Sequence, residues 1–322
     1  MCDNLRCFEK TVSEYNAGRT GEDSVVLLSD EPLSHHSTFR IGGAARLFAA
    51  PSTDEALVFT LERARSCGVR YFIAGHGSNV LYDDAGFDGV IISTERMRDI
   101  EIDGEYINAG CGAMLSNCAA AARDAGLSGM EALFGIPGTV GGAVYMNAGA
   151  YGTEMADIVT ETRCLDPVSG TIVTVTGDEH TFGYRESVFR TSGYVILSCK
   201  MKLARGEYAA IAEKMNEYRR RRAERQPLDY PSAGSTFKRY PGRYTAQMID
   251  EAGLKGYSVG GAEVSEKHAG FIINRGGATA ADVLSLIGII KNKLHEKYDI
   301  IIETEVIFVG HDGGLECGEY GR

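Results

Sequence analysis

The chain has 322 residues, 44% hydrophobic and 24% charged, which suits a protein with a full core, and at roughly 150 residues per domain two domains are expected. A formal net charge of −11 disfavours general nucleic-acid binding as the main activity. The best apolar run, "VLSLIGII" at 283–290, is broken by Ser285 and Gly288 and falls short of a membrane span. The start, "MCDNLRCFEKTVSEYN", has no apolar core for export, so a cytoplasmic protein without membrane contact is expected.

Residues 1–37 read as a polar N-terminal segment with one surface helix. In "PSTDEALVFTLERARSCG", Ser52 with Glu55 three residues on reads as a capping box, and Gly68 as the stop. "VRYFIAG" (69–75) and "GVIIST" (89–94) read as buried strands, and "YINAGCGAMLSNCAAAARDAG" as strand, turn and alanine-rich helix. "TIVTVTG" and "YVILSCKMKL" are β-rich, and an α/β domain is expected over 38–204. A smaller α+β unit, 205–322, follows. It holds a long polar helix at 207–225, a short one ending at Gly253, and a helix behind Thr279 with Val283, Leu284, Ile287, Ile290 and Leu294 at helical spacing. "IIIETEVIFVG" reads as a closing strand. Eight cysteines (Cys2, Cys7, Cys67, Cys111, Cys118, Cys164, Cys199, Cys317) show no C-x-x-C pattern and read as reduced, mostly structural thiols; no metal site is expected.

The 40 glycines cluster in short motifs. "AGHGSNVLYDD" (74–84) follows a strand, so its turn can present backbone N–H groups to a phosphate; by itself it is also an ordinary turn. "GIPGTVGGAVYMNAGAYG" (135–152) leaves little side chain for a core and suits a flat ligand lying on the backbone. "RIGGAA" (40–45) adds a third such turn. None has the spacing of the dinucleotide fingerprint or the P-loop. The basic run "EYRRRRAERQP" (217–227) reads as a solvated helix face or, beside Gln226, as a contact for a diphosphate. Ser235, in "YPSAGSTFKRYPG", has no nucleophile elbow, and although Lys238 stands at Ser-x-x-Lys spacing it is followed by Arg239 and lacks the companion motifs of the β-lactamase type, so a hydrolase reading is poor.

"TFRIGG", "AGHGSNVL", "GLSGMEALFGIPGTVGGAVYMNAGAYG", "YRESVF", "PSAGSTFKR", "VSEKHAGFIIN" and "ETEVIFVG" occur in that order. Together they resemble the UDP-N-acetylenolpyruvoylglucosamine reductase family, flavoenzymes of peptidoglycan precursor synthesis, over residues 38 to about 309. The short stretch after Phe189 is similar to the compact subclass that lacks a tyrosine-bearing loop. The resemblance implies a FAD-binding domain of the vanillyl-alcohol-oxidase-like type, followed by a smaller α+β substrate-binding domain. It implies non-covalent FAD, NADPH as hydride donor, and a UDP-sugar as the small-molecule partner; a monomer is expected.

Residue by residue, the resemblance assigns catalysis to Arg185, Ser235 and Glu305. Cofactor contacts are expected at Arg40, Gly42 and Gly43; at Gly75, His76, Gly77, Ser78, Asn79, Val80 and Leu81; and at Gly135, Pro137, Gly138, Gly141, Gly142, Asn147, Ala148 and Gly149. His76 is expected as a neutral hydrogen-bonding group, not a flavin attachment. Substrate contacts are expected at Lys238, Arg239, Arg222, Gln226 and His268, with structural support as the preferred role of His268. Ser235 matches the family's proton donor, but "KRYPG" departs from the usual "KRP" or "KNP" by Tyr240, which puts the role of Arg239 in doubt. Glu303 and Glu305 are read as facing opposite sides of the closing strand, so that only Glu305 looks into the site. The competing readings are another flavin-dependent sugar or alcohol oxidoreductase, or a nucleotide-sugar-binding module without chemistry.

Overall fold

The computed structural model describes residues 2–316. They form two compact units, each drawn from more than one stretch of the chain. Of the described residues, one unit comprises 2–28, 48–76 and 91–222, the other 29–47, 77–90 and 223–316.

The first unit is built on a five-stranded antiparallel sheet in the order Ile172–Thr176, Val159–Leu165, Val195–Lys202, Tyr106–Gly110, Ile100–Asp103. Leu197, Cys199 and Met201 point inward and Ser198, Lys200 and Lys202 outward, the period-two pattern of a half-buried strand. Helices Leu115–Asp124 and Val140–Tyr145 pack on this sheet. Helix Asp54–Ser66 has Thr53 as its N-cap, not Ser52: the Thr53 hydroxyl accepts from Ala56 N–H at 3.1 Å, and Gly68 follows at φ +64°.

The N-terminal helix Cys2–Asn16 is no loose surface element. Leu5, Phe8 and Val12 on one face are buried, and Tyr15 stacks on Phe59 with centroids 4.1 Å apart. This docking brings Cys7 to Cys67, and the two form a disulfide with a Cα–Cα distance of 6.0 Å. The expectation that all the cysteines are reduced is thereby corrected, because helix docking creates a proximity that 60 residues of sequence separation conceal. Cys111, Cys118, Cys164 and Cys199 are free and buried, and burial raises their thiols to about 12, 12, 11 and 12, which keeps them protonated and unreactive. Cys317 lies outside the described residues.

In the second unit, helix Ala280–Tyr298 buries Val283, Leu286, Ile287, Ile290 and Leu294 in a core that includes Phe39, Leu81, Phe237 and Val306. Its start is doubly fixed. Thr279 and Asp282 form a capping box, and the Asp84 carboxylate accepts from Ala280 and Ala281 N–H at 2.7 and 3.0 Å. Truncating Ile290 to alanine there would cost about 2–5 kcal/mol. A three-stranded antiparallel sheet, Ser258–Val259, Ala262–Val264 and Ile272–Asn274, belongs to this unit. Strand Val80–Tyr82 pairs in parallel with Ile307–Val309. The expected closing strand is thus shorter than 300–310: Ile301 is 80% exposed, and residues 303–305 hold only an isolated bridge, Thr304 to Phe237. Among the described residues no helix is long and apolar enough to cross a membrane.

Candidate active site

In the first unit, Arg185 stands at the tip of a tight turn in which Gly183 and Glu186 exchange backbone hydrogen bonds at 3.1 and 3.2 Å. Its φ is +58°, costly for a residue with a Cβ, by about 1 kcal/mol or more. Asn147 holds this turn. Its Nδ2 donates to the Gly183 carbonyl at 2.9 Å, its Oδ1 accepts from Ala156 N–H at 2.9 Å, and its own φ is +42°. Arg190 Nη1 donates to the Arg185 carbonyl at 2.9 Å, and the Arg185 guanidinium lies 5.0 Å above the Tyr184 ring. Arg40 also has positive φ, +55°. Among the described residues, three of the seven non-glycine residues with positive φ are thus among the candidates, and strain of this kind clusters at functional sites.

The small-residue segment packs against the turn after strand Tyr106–Gly110. Gly141 N–H donates to Cys111 O and Val140 N–H to Ala113 O, and a Cβ on Gly141 would lie 2.9 Å from Cys111 Cβ. A Cβ on Gly75 would lie 2.3 Å from Thr139 Oγ1, so the glycine turn and the start of helix Val140–Tyr145 sit against each other. Pro137 and Gly138 lead into that helix, and Gly138 O accepts from Leu115 N–H. Ala148 N–H bonds Ala143 O, and Gly149 pairs with Glu154 in a short hairpin. Gly135 lies under the stem of Arg222, whose Cδ would be 3.1 Å from an added Cβ.

Arg222 stands apart from its neighbours in the basic run. Arg219, Arg220 and Arg221 are exposed, and Arg221 pairs with Glu217 at 2.5 Å. Arg222 is half-buried, and desolvation holds its guanidinium below the usual arginine range. Among the described residues no carboxylate pairs with it.

His76 is bonded through Nδ1 to Glu95 Oε1 at 2.6 Å. That carboxylate raises the pKa of the ring through its hydrogen bond, against the opposing effect of burial. Glu95 is a residue the sequence did not disclose: it lies 19 positions away, in no motif.

In the second unit, Ser235 follows Gly234 (φ +75°) in a turn held on both sides. Ser232 and Thr38 exchange hydrogen bonds, Thr236 N–H bonds Gly270 O at 2.8 Å, and Thr236 O accepts from Glu305 N–H at 2.8 Å. Ser235 and Glu305 therefore flank one backbone bridge. Asn79 Nδ2 donates to Glu305 O at 3.0 Å, and Asn79 O accepts from Ile307 N–H, which ties the 77–79 turn to the same strand. Gly77 must be glycine: φ is +62°, and a Cβ would meet His36 O at 2.1 Å.

The reading of Glu303 and Glu305 as facing opposite sides fails on geometry, since residues two apart in an extended strand share a face. What separates them is their partners. Glu303 is exposed and binds Lys238 Nζ at 2.7 Å, while Glu305 is half-buried beside Thr236 and Asn79. Lys238 is thereby turned to Glu303. Arg239 is exposed, 5.4 Å above Tyr244. Tyr240, the departure from the family pattern, packs against the core, and its N–H bonds Thr245 Oγ1 at 3.1 Å in a turn closed with Arg243. His268 Nδ1 accepts from Gly270 N–H at 3.1 Å, and burial lowers its pKa, so the neutral ring shapes the turn that receives Thr236.

Several candidates are explained by the protein's own packing. A Cβ on Gly42 would strike Tyr82 Cβ at 2.6 Å, and one on Gly43 Asp84 O at 2.3 Å. Val80 and Leu81 bury their side chains, which leaves only their backbone for a ligand.

Other groups fit an anionic, flat cofactor. Among the described residues, no acceptor is seen for the backbone N–H groups of His76, Gly77 and Ser78. Gln226 Oε1 is buried without a hydrogen-bond partner, a state that costs about 1–3 kcal/mol unless a ligand supplies the donor.

The fold and these groups define an FAD-binding oxidoreductase: the description of an FAD-binding domain matches residues 45–176. Residues 226–309 match the UDP-N-acetylenolpyruvoylglucosamine reductase C-terminal domain. The chain is 44% identical over 283 residues to the UDP-N-acetylenolpyruvoylglucosamine reductase of Clostridium perfringens, covering 88% of this chain and 93% of the relative. It is 43% identical over 292 residues to that of Clostridium botulinum, covering 91% and 94%. The crystal structure of the reductase from Thermus caldophilus superposes with a TM-score of 0.75 at 34% identity, over 88% of this chain and 98% of that one. The chain belongs to the UDP-N-acetylenolpyruvoylglucosamine reductase family.

Proposed function

We propose that this protein reduces the enolpyruvyl group of UDP-N-acetylenolpyruvoylglucosamine to give UDP-N-acetylmuramate, with NADPH as reductant and FAD held non-covalently. The observation that carries the reading is the match of both domains to one reductase family along nearly the whole chain. We place it in the cytoplasm as a monomer in peptidoglycan precursor synthesis.

The turns at 75–79 and 135–149 would hold the cofactor, with Gln226 as a donor-seeking neighbour in sequence to Arg222. When bound, FAD supplies the two-electron relay from NADPH to the substrate. The substrate double bond is conjugated to a carboxylate, so its reduction throws negative charge onto that carboxylate as an enolate. A fixed cation or donor must meet this charge, and Arg185, pinned by Asn147 and Arg190, is that cation in this reading, with protonated Glu305 as a second donor. A proton must then reach the alpha carbon on one face. Ser235, on a turn clamped through Thr236, is the donor of that proton in this reading. Arg222, half-buried and without a carboxylate partner, is the best candidate of the basic run for the diphosphate.

The test is the absorption spectrum of the purified protein, titrated with NADPH and then with the enolpyruvyl substrate. The expected result is a flavin band that bleaches with NADPH and returns with substrate. A colourless protein, or one reoxidised only by oxygen, would sink the assignment.

A further inference from the structure

The pair His76–Glu95 has no part in the chemistry above, yet it joins the glycine turn, through His76, to the turn at 94–97. We propose that Glu95 is a positioning residue for that turn: its carboxylate orients the His76 ring so that Nε2–H is the donor offered to a phosphate of the cofactor. The proposal rests on the reading that residues 75–79 hold FAD.

The geometry is built by backbone pairing. Thr94 N–H donates to Ala74 O at 2.9 Å, and the Thr94 hydroxyl reaches the same carbonyl at 3.3 Å, which sets residue 95 beside residue 76. The 94–97 turn is closed by Met97 N–H on Thr94 O. Gly112 backs it so closely that a Cβ would lie 1.8 Å from Thr94 O. Glu95 is therefore presented by a rigid turn, and its Oε1 meets His76 Nδ1 at 2.6 Å with both side chains about one-third exposed (39% and 33%).

With Nδ1–H committed to the carboxylate, the ring has two states. Neutral, it shows a lone pair at Nε2, which a phosphate repels. Protonated, it shows an N–H and a positive charge, which a phosphate accepts. Glu95 favours the second state through its hydrogen bond and its charge, while burial opposes it. Among the described residues Glu95 is the ionisable group acting on this ring; neighbouring Arg96 is turned away to the carbonyls of Gly21, Ser24 and Ala50, and Thr139, beside Gly75, is neutral. The sign follows: FAD binds best below the pKa of His76, which Glu95 lifts above its ordinary value, and affinity falls as pH rises through it.

The experiment measures FAD affinity of the flavin-depleted full chain by fluorescence quenching, with the His76 titration followed by NMR. Wild type should lose about tenfold or more in affinity from about pH 6 to about pH 9, the scale of a charge-assisted hydrogen bond. Glu95→Gln should lower the His76 titration and weaken binding at the acid end, Glu95→Asp should restore part of both, and His76→Gln should bind without that pH slope. The role of Glu95 is overturned if Glu95→Gln moves the titration but leaves affinity and its slope unchanged, or if wild-type binding shows no pH dependence. Either result leaves the flavoprotein reading standing, whereas a wild-type chain that binds no FAD overturns that reading and the proposal together.

Discussion

Asn147 donates to the Gly183 carbonyl at 2.9 Å and accepts from Ala156 N–H at the same distance, so one buried side chain ties the Arg185 turn to the small-residue segment. This bond is what lets Arg185 keep a φ of +58°. Asn147→Ala should therefore destabilise the protein by about 1–3 kcal/mol for the lost partners, the Cβ at positive φ being already present in the wild type. Asn147→Gly should lose about 1 kcal/mol less, because removing the Cβ relieves the strain at positive φ. Denaturant unfolding separates the two, and equal losses would mean that the backbone conformation is not under strain.

Ser235→Ala splits the two half-reactions. Flavin bleaching by NADPH needs no proton donor at a substrate carbon and should stay within about tenfold of wild type, a difference of about 1.4 kcal/mol. Reoxidation by the enolpyruvyl substrate should slow by roughly a hundredfold or more, the range for losing a positioned general acid. Stopped-flow absorbance reads both steps on one sample. Equal slowing of the two would assign the serine to holding the cofactor.

Glu305 and Glu303 should part company in the same assay. Glu305→Ala is expected to slow reoxidation by about a hundredfold. Glu303→Ala only releases Lys238 from an ion pair whose acid is 61% exposed, so unfolding should shift by less than about 1 kcal/mol. Comparable loss of turnover in the two variants would place Lys238 and its pairing, not Glu305, at the chemistry.

The Cys7–Cys67 disulfide closes a loop of 60 residues. Cys7→Ser should cost about 2–4 kcal/mol of stability, chiefly by freeing the unfolded chain. Dithiothreitol should lower the melting temperature of wild type and leave that of Cys7→Ser unmoved. A wild type insensitive to reductant would show that the bond does not form in solution.

His180 is buried, with Nε2 on Thr162 Oγ1 and Nδ1 on Gly177 O, both at 2.9 Å, and stacked on Phe182. Burial lowers its pKa from the ordinary 6.5, so the neutral ring is the folded form. The unfolded chain then binds the proton more readily, and the contribution of His180 is complete above about pH 6.5 and is lost as pH falls towards the folded value. Wild-type stability should decline below about pH 6.5 more steeply than that of His180→Asn. Parallel pH profiles would remove His180 as the cause.

Local chemistry was legible wherever one short stretch decides the structure. Thr279 with Asp282 makes a helix start in any context, and the stripe Val283, Ile287, Ile290, Leu294 is buried as its spacing implies. The glycines of 74–79 and 135–149 mark backbone approach, and Gly75, Gly77 and Gly141 are required by contacts under 3 Å. Even at this range competition between neighbours misleads: Thr53 takes the cap that Ser52 offered, because only one hydroxyl reaches Ala56 N–H.

By itself the amino-acid order determined helix starts to within a residue, which glycine stretches mark close backbone approach, and which ordered motifs place the chain in a reductase family. Those are properties of a few adjacent residues and their φ, ψ preferences. Only the tertiary structure decided that Cys7 meets Cys67, that Glu95 meets His76, that Asn147 holds Gly183, and that Glu303 rather than Glu305 takes Lys238. Each of these is a contact between segments whose separation in sequence carries no distance information, set by the docking of helices and the register of strands. The same cause builds the second unit from separate stretches: residues 29–47 and 77–90 join 223–316 because their apolar side chains, Phe39, Ile41 and Leu81 among them, are buried in the core around helix Ala280–Tyr298.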